Sequence, residues 1–247
     1  ISLFNNDAIA DPTWLTELVR VAQLSPRFGI LGGTILYYDP EDIVWAAGNK
    51  IDAITGIDWR ADHGSRFNLL RNTEDIDYVS GCALLIKREV VNKIGLLDEH
   101  YFLYGEDEDW NLCAKRAGYY CKFVPSAIVW HKASMSRKKI PMKGHYYERR
   151  GTFRLILKHF PIGYLFTALF FQLFVLPSLE IVLFKLTVRH VFETWRAFSW
   201  NLAKIRNTMI ERGRVKRFGN PKLQNRLKEC IIAAKYHASS KETYYEL

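Results

Sequence analysis

Three short stretches of this chain carry residue types able to do chemistry. "LFNND" delivers Asn5, Asn6 and Asp7 out of an apolar run, "GEDEDW" packs the carboxylates of Glu106, Asp107, Glu108 and Asp109 before Trp110, and "AIVWHK" ends on His131. A carboxylate at the end of a strand is well placed to hold a divalent cation on a phosphate. The plainer reading of "NND" is a turn capped by its own side chains. Acids at a helix start are favoured by the exposed N–H groups and the macrodipole, so one or two of the four need no catalytic explanation. Four in succession repel one another, and partial burial raises the pKa of some of them, which suits a general base for a hydroxyl group. His131 is either a satisfied structural histidine or, as a neutral imidazole, a further ligand for a metal bound by Asp7.

The four cysteines, Cys82, Cys113, Cys121 and Cys230, include no CxxC pair and read as reduced thiols. The net charge of +9 is unevenly spread. Between Lys185 and Lys228 there are 12 Lys or Arg against Glu193 and Glu211, while the remaining 23 basic and 24 acidic residues nearly cancel. The basicity therefore belongs to the tail and says little about what the front of the chain binds.

Strand and helix signals alternate through the first 130 residues. The opening "ISLF" reads as a buried strand. Asp11 and Pro12 read as the cap and first position of a helix whose apolar face is Trp14, Leu15, Leu18, Val19 and Ala22. "FGILGGTILYY" is a strand closed by Asp39-Pro40 and followed by a short extended stretch with Gly48, and residues 52–75 read as a polar loop. A buried strand over Ala83–Ile86 leads to a short helix capped by Gly95. A second helix starts within Glu106–Asp109 and stops at Gly118, and "YYCKFV" and "AIVWH" are β segments. This is an α/β pattern with a parallel or mixed sheet.

Beyond residue 133 the pattern changes. His159 to Leu179 is a stretch of 21 residues without Asp, Glu, Lys or Arg, near the length that crosses a hydrocarbon core. It reads as a membrane span, a hairpin dipping into one leaflet, or a very apolar buried helix. The basic segment after it interleaves cations with Trp195, Phe198, Trp200 and Phe218, which suits an anionic membrane surface on the cytoplasmic side better than nucleic acid.

Taken together and in order, "LFNNDAIADPTWLTELV", "DYVSGCALLIKREVVNKIGLLDEHYFLYGEDEDWNLCAKRAGYYCKFVPSAIVWHK" and "HYYERRGTFRLILKHFP" resemble the family 2 glycosyltransferases of GT-A fold, most of all bacterial rhamnosyltransferase-like members that build cell-surface polysaccharides. The resemblance covers residues 1 to about 160. It implies a Rossmann-like mixed sheet in a catalytic domain over residues 1–150, followed by a helical, membrane-associated region over 151–247 with a basic tail. It implies inverting transfer from a dTDP- or UDP-sugar donor to a glycan or lipid-linked acceptor at the cytoplasmic face of the inner membrane, assisted by Mg²⁺ or Mn²⁺.

Position by position, "NND" stands where the family has its DxD-type motif, with Asn5 in place of the first acid. Asn6 and Asp7 then fall at the donor diphosphate, and Asp7 at its metal. Gly81 and Cys82 of "SGCALLIKRE" fall near the reaction centre on the acceptor side. "GEDEDW" matches the ED motif, making Asp107 the base, Glu106 its neighbour and Trp110 a flank of the acceptor pocket. His131 matches a histidine that approaches the metal or diphosphate. The family begins with a nucleotide-binding strand-helix-strand region that is not in this sequence. The chain is therefore expected to be part of a longer enzyme, inactive without that region and exposing a sheet edge that it covers. The alternative is a non-catalytic membrane-anchored scaffold derived from such an enzyme.

Overall fold

The computed structural model describes residues 1–69, 72–132, 140–184 and 187–219. Most of the basic segment's end, and Cys230 with it, lies outside them. The chain forms two compact units, one of Ile1–Lys50, Arg60–Asp98 and Glu106–Ser136, the other of Ile51–Trp59, Glu99–Gly105 and Arg137–Leu247.

In chain order the α/β elements are β1 (Ser2–Phe4), β2 (Ala8–Ala10), α1 (Trp14–Gln23), β3 (Phe28–Tyr37), β4 (Val44–Ala46), β5 (Asn49–Ile51), β6 (Asp58–Arg60), β7 (Glu74–Ile76), β8 (Ala83–Ile86), α2 (Arg88–Ile94), α3 (Glu106–Arg116) and β9 (Tyr120–His131). The main sheet runs β1-β8-β3-β9-β2, with β4 added to β3 and β7 to β9, while β5 and β6 pair separately. β3 is parallel to β9 and antiparallel to β8, so the sheet is mixed.

Several local expectations change. Among the described residues β1 is an edge strand paired with β8, with Ile1 51% and Phe4 41% exposed, so it is not the buried strand its composition suggests but an open sheet edge such as the family resemblance implies. Thr13, not Asp11, caps α1. The Asp11 carboxylate instead accepts hydrogen bonds from the Thr13 amide at 2.8 Å and hydroxyl at 2.6 Å in a turn before the helix. The buried face of α1 is Trp14, Leu18, Val21 and Ala22, and Leu15 and Val19 face solvent, because the stripe that meets the sheet runs at i, i+4, i+7 and i+8 from Trp14. The segment 52–75 is not all loop, since β6 lies inside it and β7 starts there.

"YYCKFV" and "AIVWH" form one strand with Pro125 in its middle. The register against β3 shifts between Gly33 and Thr34, and the Thr34 hydroxyl donates to the Pro125 carbonyl at 3.0 Å. A Cβ on Gly33 would sit 1.6 Å from the Ala127 carbonyl oxygen, so only glycine fits this irregularity. One apolar cluster joins the α1 face to Leu31, Ala83, Val124, Ala127 and Val129. Another gathers Ile35, Ala46 and Cys82, with Ala8 and Trp45 packed against it.

The second unit is largely helical. α4 (Pro141–His159) is followed by α5 (Ile162–Phe170), a π-helical turn (Phe171–Val175), α6 (Leu176–Phe184), α7 (Val188–Ala203) and α8 (Ile205–Lys216). Phe160 is extended before Pro161, which ends α4. Arg212 donates to the Leu157 and Phe160 carbonyls at 2.8 and 2.7 Å and satisfies the end of that helix. Ile162–Val182 is a continuous stretch of 21 residues with mean hydropathy 1.9, long and apolar enough by length and composition to cross a membrane. Yet it carries a polar side. Gln172 is buried and donates to the Thr55 carbonyl, and Arg149 of α4 donates to Gln172 and is paired with Glu180.

Candidate active site

The site is assembled within the first unit from chain segments far apart in sequence. β1 ends in a turn closed by the Ala8 amide on the Asn5 carbonyl at 3.2 Å, and the Asn5 amide donates to the Cys82 carbonyl at 2.8 Å. β2 then pairs with the end of β9, so that Ala8 faces His131 across the ladder. This register places the Asp7 carboxylate against the imidazole, Oδ1 to Nε2 at 3.2 Å, while Asn5 and Asn6 remain exposed.

His131 is buried and, among the described residues, its Nδ1 has no hydrogen-bond partner. Burial lowers its pKa against the opposing pull of Asp7, with the positive charge of Arg60 adding a little, so the ring is neutral at neutral pH. Its ring meets the indole of Trp45 edge-on, centroids 4.9 Å apart.

The acidic run forms the first turn of α3. Tyr104 and Gly105, with φ of 66° and 91°, turn the backbone into that helix, and a residue with a side chain is strained at the Gly105 position. The Asp107 carboxylate accepts from the Gly81 amide at 2.7 Å and from the Glu108 amide at 2.9 Å. Asn111, one turn on, accepts from the Val79 amide at 3.0 Å and donates to the Val79 carbonyl at 3.1 Å. The loop before β8 is thus tied to the start of α3 at two points. A Cβ on Gly81 would come within 3.3 Å of the Asp107 side chain, a contact tight enough to disturb the carboxylate.

Cys82 is a buried free thiol whose pKa is pushed up to about 12, first by burial and then by the charges of Asp7 and Asp107. The thiol is therefore not a nucleophile at neutral pH.

Glu106 is raised to about 7 by burial and by its neighbour Asp107, and its Oε2 is buried without a hydrogen-bond partner among the described residues. Trp110 is placed differently from its neighbours. It is buried and donates from its indole to the Gly95 carbonyl at 2.9 Å, which commits it to packing α3 on the end of α2.

The structure therefore gathers Asp7, His131, Cys82, Gly81 and Asp107. Sequence reading missed Asn111, which lies inside an ordinary helical pattern, and the pair Trp45 and Arg60. The Arg60 guanidinium lies over the Trp45 ring, 4.0 Å from its centroid. Nothing in their spacing marks either one.

Residues 1–143, more than half of the chain, match the family described as "Glycosyltransferase like family 2". The chain belongs to that family. Among curated relatives, this glycosyltransferase family member is 30% identical over 149 residues to an N-acetylglucosaminyl-diphospho-decaprenol L-rhamnosyltransferase of Mycobacterium tuberculosis, a match covering 56% of this chain and 48% of the relative. It is likewise 30% identical over 142 residues to the O-antigen biosynthesis protein RfbC of Myxococcus xanthus, covering 54% of this chain and 11% of that protein. The chain thus spans about half the length of the first relative and a small part of the second. Its mixed α/β sheet is consistent with the GT-A fold.

The family implies a divalent metal, and the residues present fit one. A carboxylate and a neutral imidazole side by side are donors that Mn²⁺ accepts well and Mg²⁺ accepts in part.

Proposed function

We propose that this chain carries the catalytic half of an inverting glycosyltransferase that moves a sugar from a nucleotide-sugar donor, a dTDP- or UDP-sugar, to a glycan or lipid-linked acceptor in cell-surface polysaccharide synthesis. The observation that carries the reading is that the Gly81–Cys82 segment is held on one side by the Asp107 carboxylate, through the Gly81 amide at 2.7 Å, and on the other by the turn that carries Asp7, whose Asn5 amide donates to the Cys82 carbonyl at 2.8 Å. In this reading Asp107 is the base. Its carboxylate, oriented by the Gly81 and Glu108 amides, takes the proton of the acceptor hydroxyl as that oxygen attacks the anomeric carbon. Glu106 beside it stays partly protonated near neutral pH, which limits the repulsion that two adjacent carboxylates would impose on each other. Asp7 and His131 would hold Mg²⁺ or Mn²⁺. Such an ion supplies positive charge to the departing diphosphate.

The helical unit fits a membrane surface. Ile162, Phe166, Phe170 and Phe174 are spaced along one side of the apolar helix and are 64%, 72%, 60% and 49% exposed. Phe174 meets Trp195 of α7, with ring centroids 5.4 Å apart, which continues the apolar strip onto that helix. The opposite side of the helix is held by Arg149 through Gln172 and Glu180. A helix with one polar, anchored side and one bare aromatic side suits lying in the interface of the cytoplasmic leaflet better than crossing it.

The test is to supply the intact protein with dTDP- and UDP-sugars and a diphosphate-lipid acceptor, and to read the anomeric configuration of any product by NMR. A glycoside of inverted configuration supports the reading. Absence of transfer from every donor, with fold intact, favours the scaffold alternative.

A further inference from the structure

Arg60 has no role in the site as built so far, and its surroundings give it one. It closes β6, is half-buried, and sets its guanidinium carbon over the Trp45 ring, 4.0 Å from the centroid. Trp45 in turn packs edge-on against His131, which contacts Asp7. Four side chains from distant parts of the α/β unit therefore form one contact series ending at the candidate metal ligand. The positive charge of Arg60 is felt at both His131 and Cys82, the residues that flank Asp7.

Among the described residues the guanidinium makes no hydrogen bond or ion pair. There it rests against the indole of Trp45. The nearby carboxylates are engaged elsewhere, Asp7 by His131 and Asp107 by the Gly81 and Glu108 amides. A guanidinium held over a ring face by cation–π attraction keeps its five N–H donors, set along its edge in a rigid fork, for other partners. That edge matches the geometry of phosphate oxygens two at a time, and the ring contact lowers the entropic cost of presenting it.

We propose that Arg60, held by Trp45, is the protein's own cation for a substrate diphosphate, binding its oxygens alongside the Asp7–His131 pair. The proposal rests on the glycosyltransferase reading, in which diphosphate occurs in two places, the nucleotide-sugar donor and a lipid-linked acceptor. The chemistry recognised is the same for both, and the experiment separates them.

The measurement is calorimetric binding of dTDP, UDP and farnesyl diphosphate to the intact protein, to Arg60→Gln, to Arg60→Lys and to Asp7→Asn, each first checked for an unchanged melting temperature. Arg60→Gln is expected to weaken one diphosphate by roughly ten- to a hundredfold, the range of a charge-assisted hydrogen bond. Arg60→Lys, which keeps the charge and loses the fork, is expected to recover part of that loss. Loss on the nucleotides assigns Arg60 to the donor, and loss on farnesyl diphosphate assigns it to the acceptor.

Affinities within twofold of wild type for all three ligands in Arg60→Gln, while Asp7→Asn still weakens the nucleotides, overturn the proposal and leave the glycosyltransferase reading standing. A wild-type protein that binds none of the three overturns both.

Discussion

Asp7 and His131 lie 124 positions apart in the chain, and the Asp7 Oδ1 sits 3.2 Å from the His131 Nε2. The contact is a consequence of register. β2 pairs with the last residues of β9, so Ala8 and His131 are ladder partners and the residue before Ala8 must reach the same end of the sheet. The Lys132 amide, which donates to the Asp7 carbonyl at 3.0 Å, holds that end from the other side.

This pair predicts the behaviour of a metal site. Asp7→Asn and His131→Ala should each weaken Mn²⁺ binding by about tenfold or more, measured by the electron paramagnetic resonance of free Mn²⁺ in the presence of nucleoside diphosphate. Binding in wild type should also fall as pH drops through the lowered pKa of His131, because the imidazolium cannot ligate. Unchanged Mn²⁺ affinity in both variants would remove the metal from Asp7 and His131.

Glu106 makes a prediction about stability. Its carboxyl is held at about 7 in the folded chain against an ordinary value of 4.5, so the folded state keeps a proton that the unfolded state gives up. Its contribution is fully favourable below 4.5, declines as pH rises from 4.5 to 7, and is lost above 7. Relative to wild type, Glu106→Gln should therefore gain melting temperature across that window and show a flat difference on either side. A difference that does not vary with pH would mean that Glu106 titrates as an ordinary surface acid.

The bare aromatic strip predicts membrane affinity. Phe166→Ser, Phe170→Ser and Phe174→Ser combined should cut co-sedimentation with anionic vesicles at least tenfold, since each buried aromatic contributes on the order of 1.5–3 kcal/mol. Retention unchanged by the triple substitution, with binding still abolished by high salt, would assign the attachment to the cations alone.

How far the sequence foretold these features depends on the kind of signal. The strand Ala83–Ile86 and the helix that opens at Glu106 stand where their apolar run and acidic start put them. The exposure of β1 did not follow from its composition, because an edge strand and a central one read alike when only three residues long. The apolar stretch after His159 was plain, but its polar side was not. Gln172 is one residue in a hydrophobic run, and its partner Arg149 lies a helix away, so their hydrogen bond is a tertiary fact.

Among the candidate site residues, Asp7, Asp107 and His131 are proposed from residue type and family resemblance. Asn111 and the Arg60–Trp45 pair are not, since what marks them is a side-chain contact between strands or between helix and loop rather than any spacing.

The central claim is that Asp107 removes the acceptor proton. Its direct test is single-turnover transfer by the intact protein carrying Asp107→Asn, with donor affinity measured on the same sample. The carboxamide keeps an oxygen to accept the Gly81 amide but has no basicity, so transfer should fall by about 10²–10⁴-fold while donor binding stays within a fewfold of wild type. Transfer at the wild-type rate with donor bound would contradict the account.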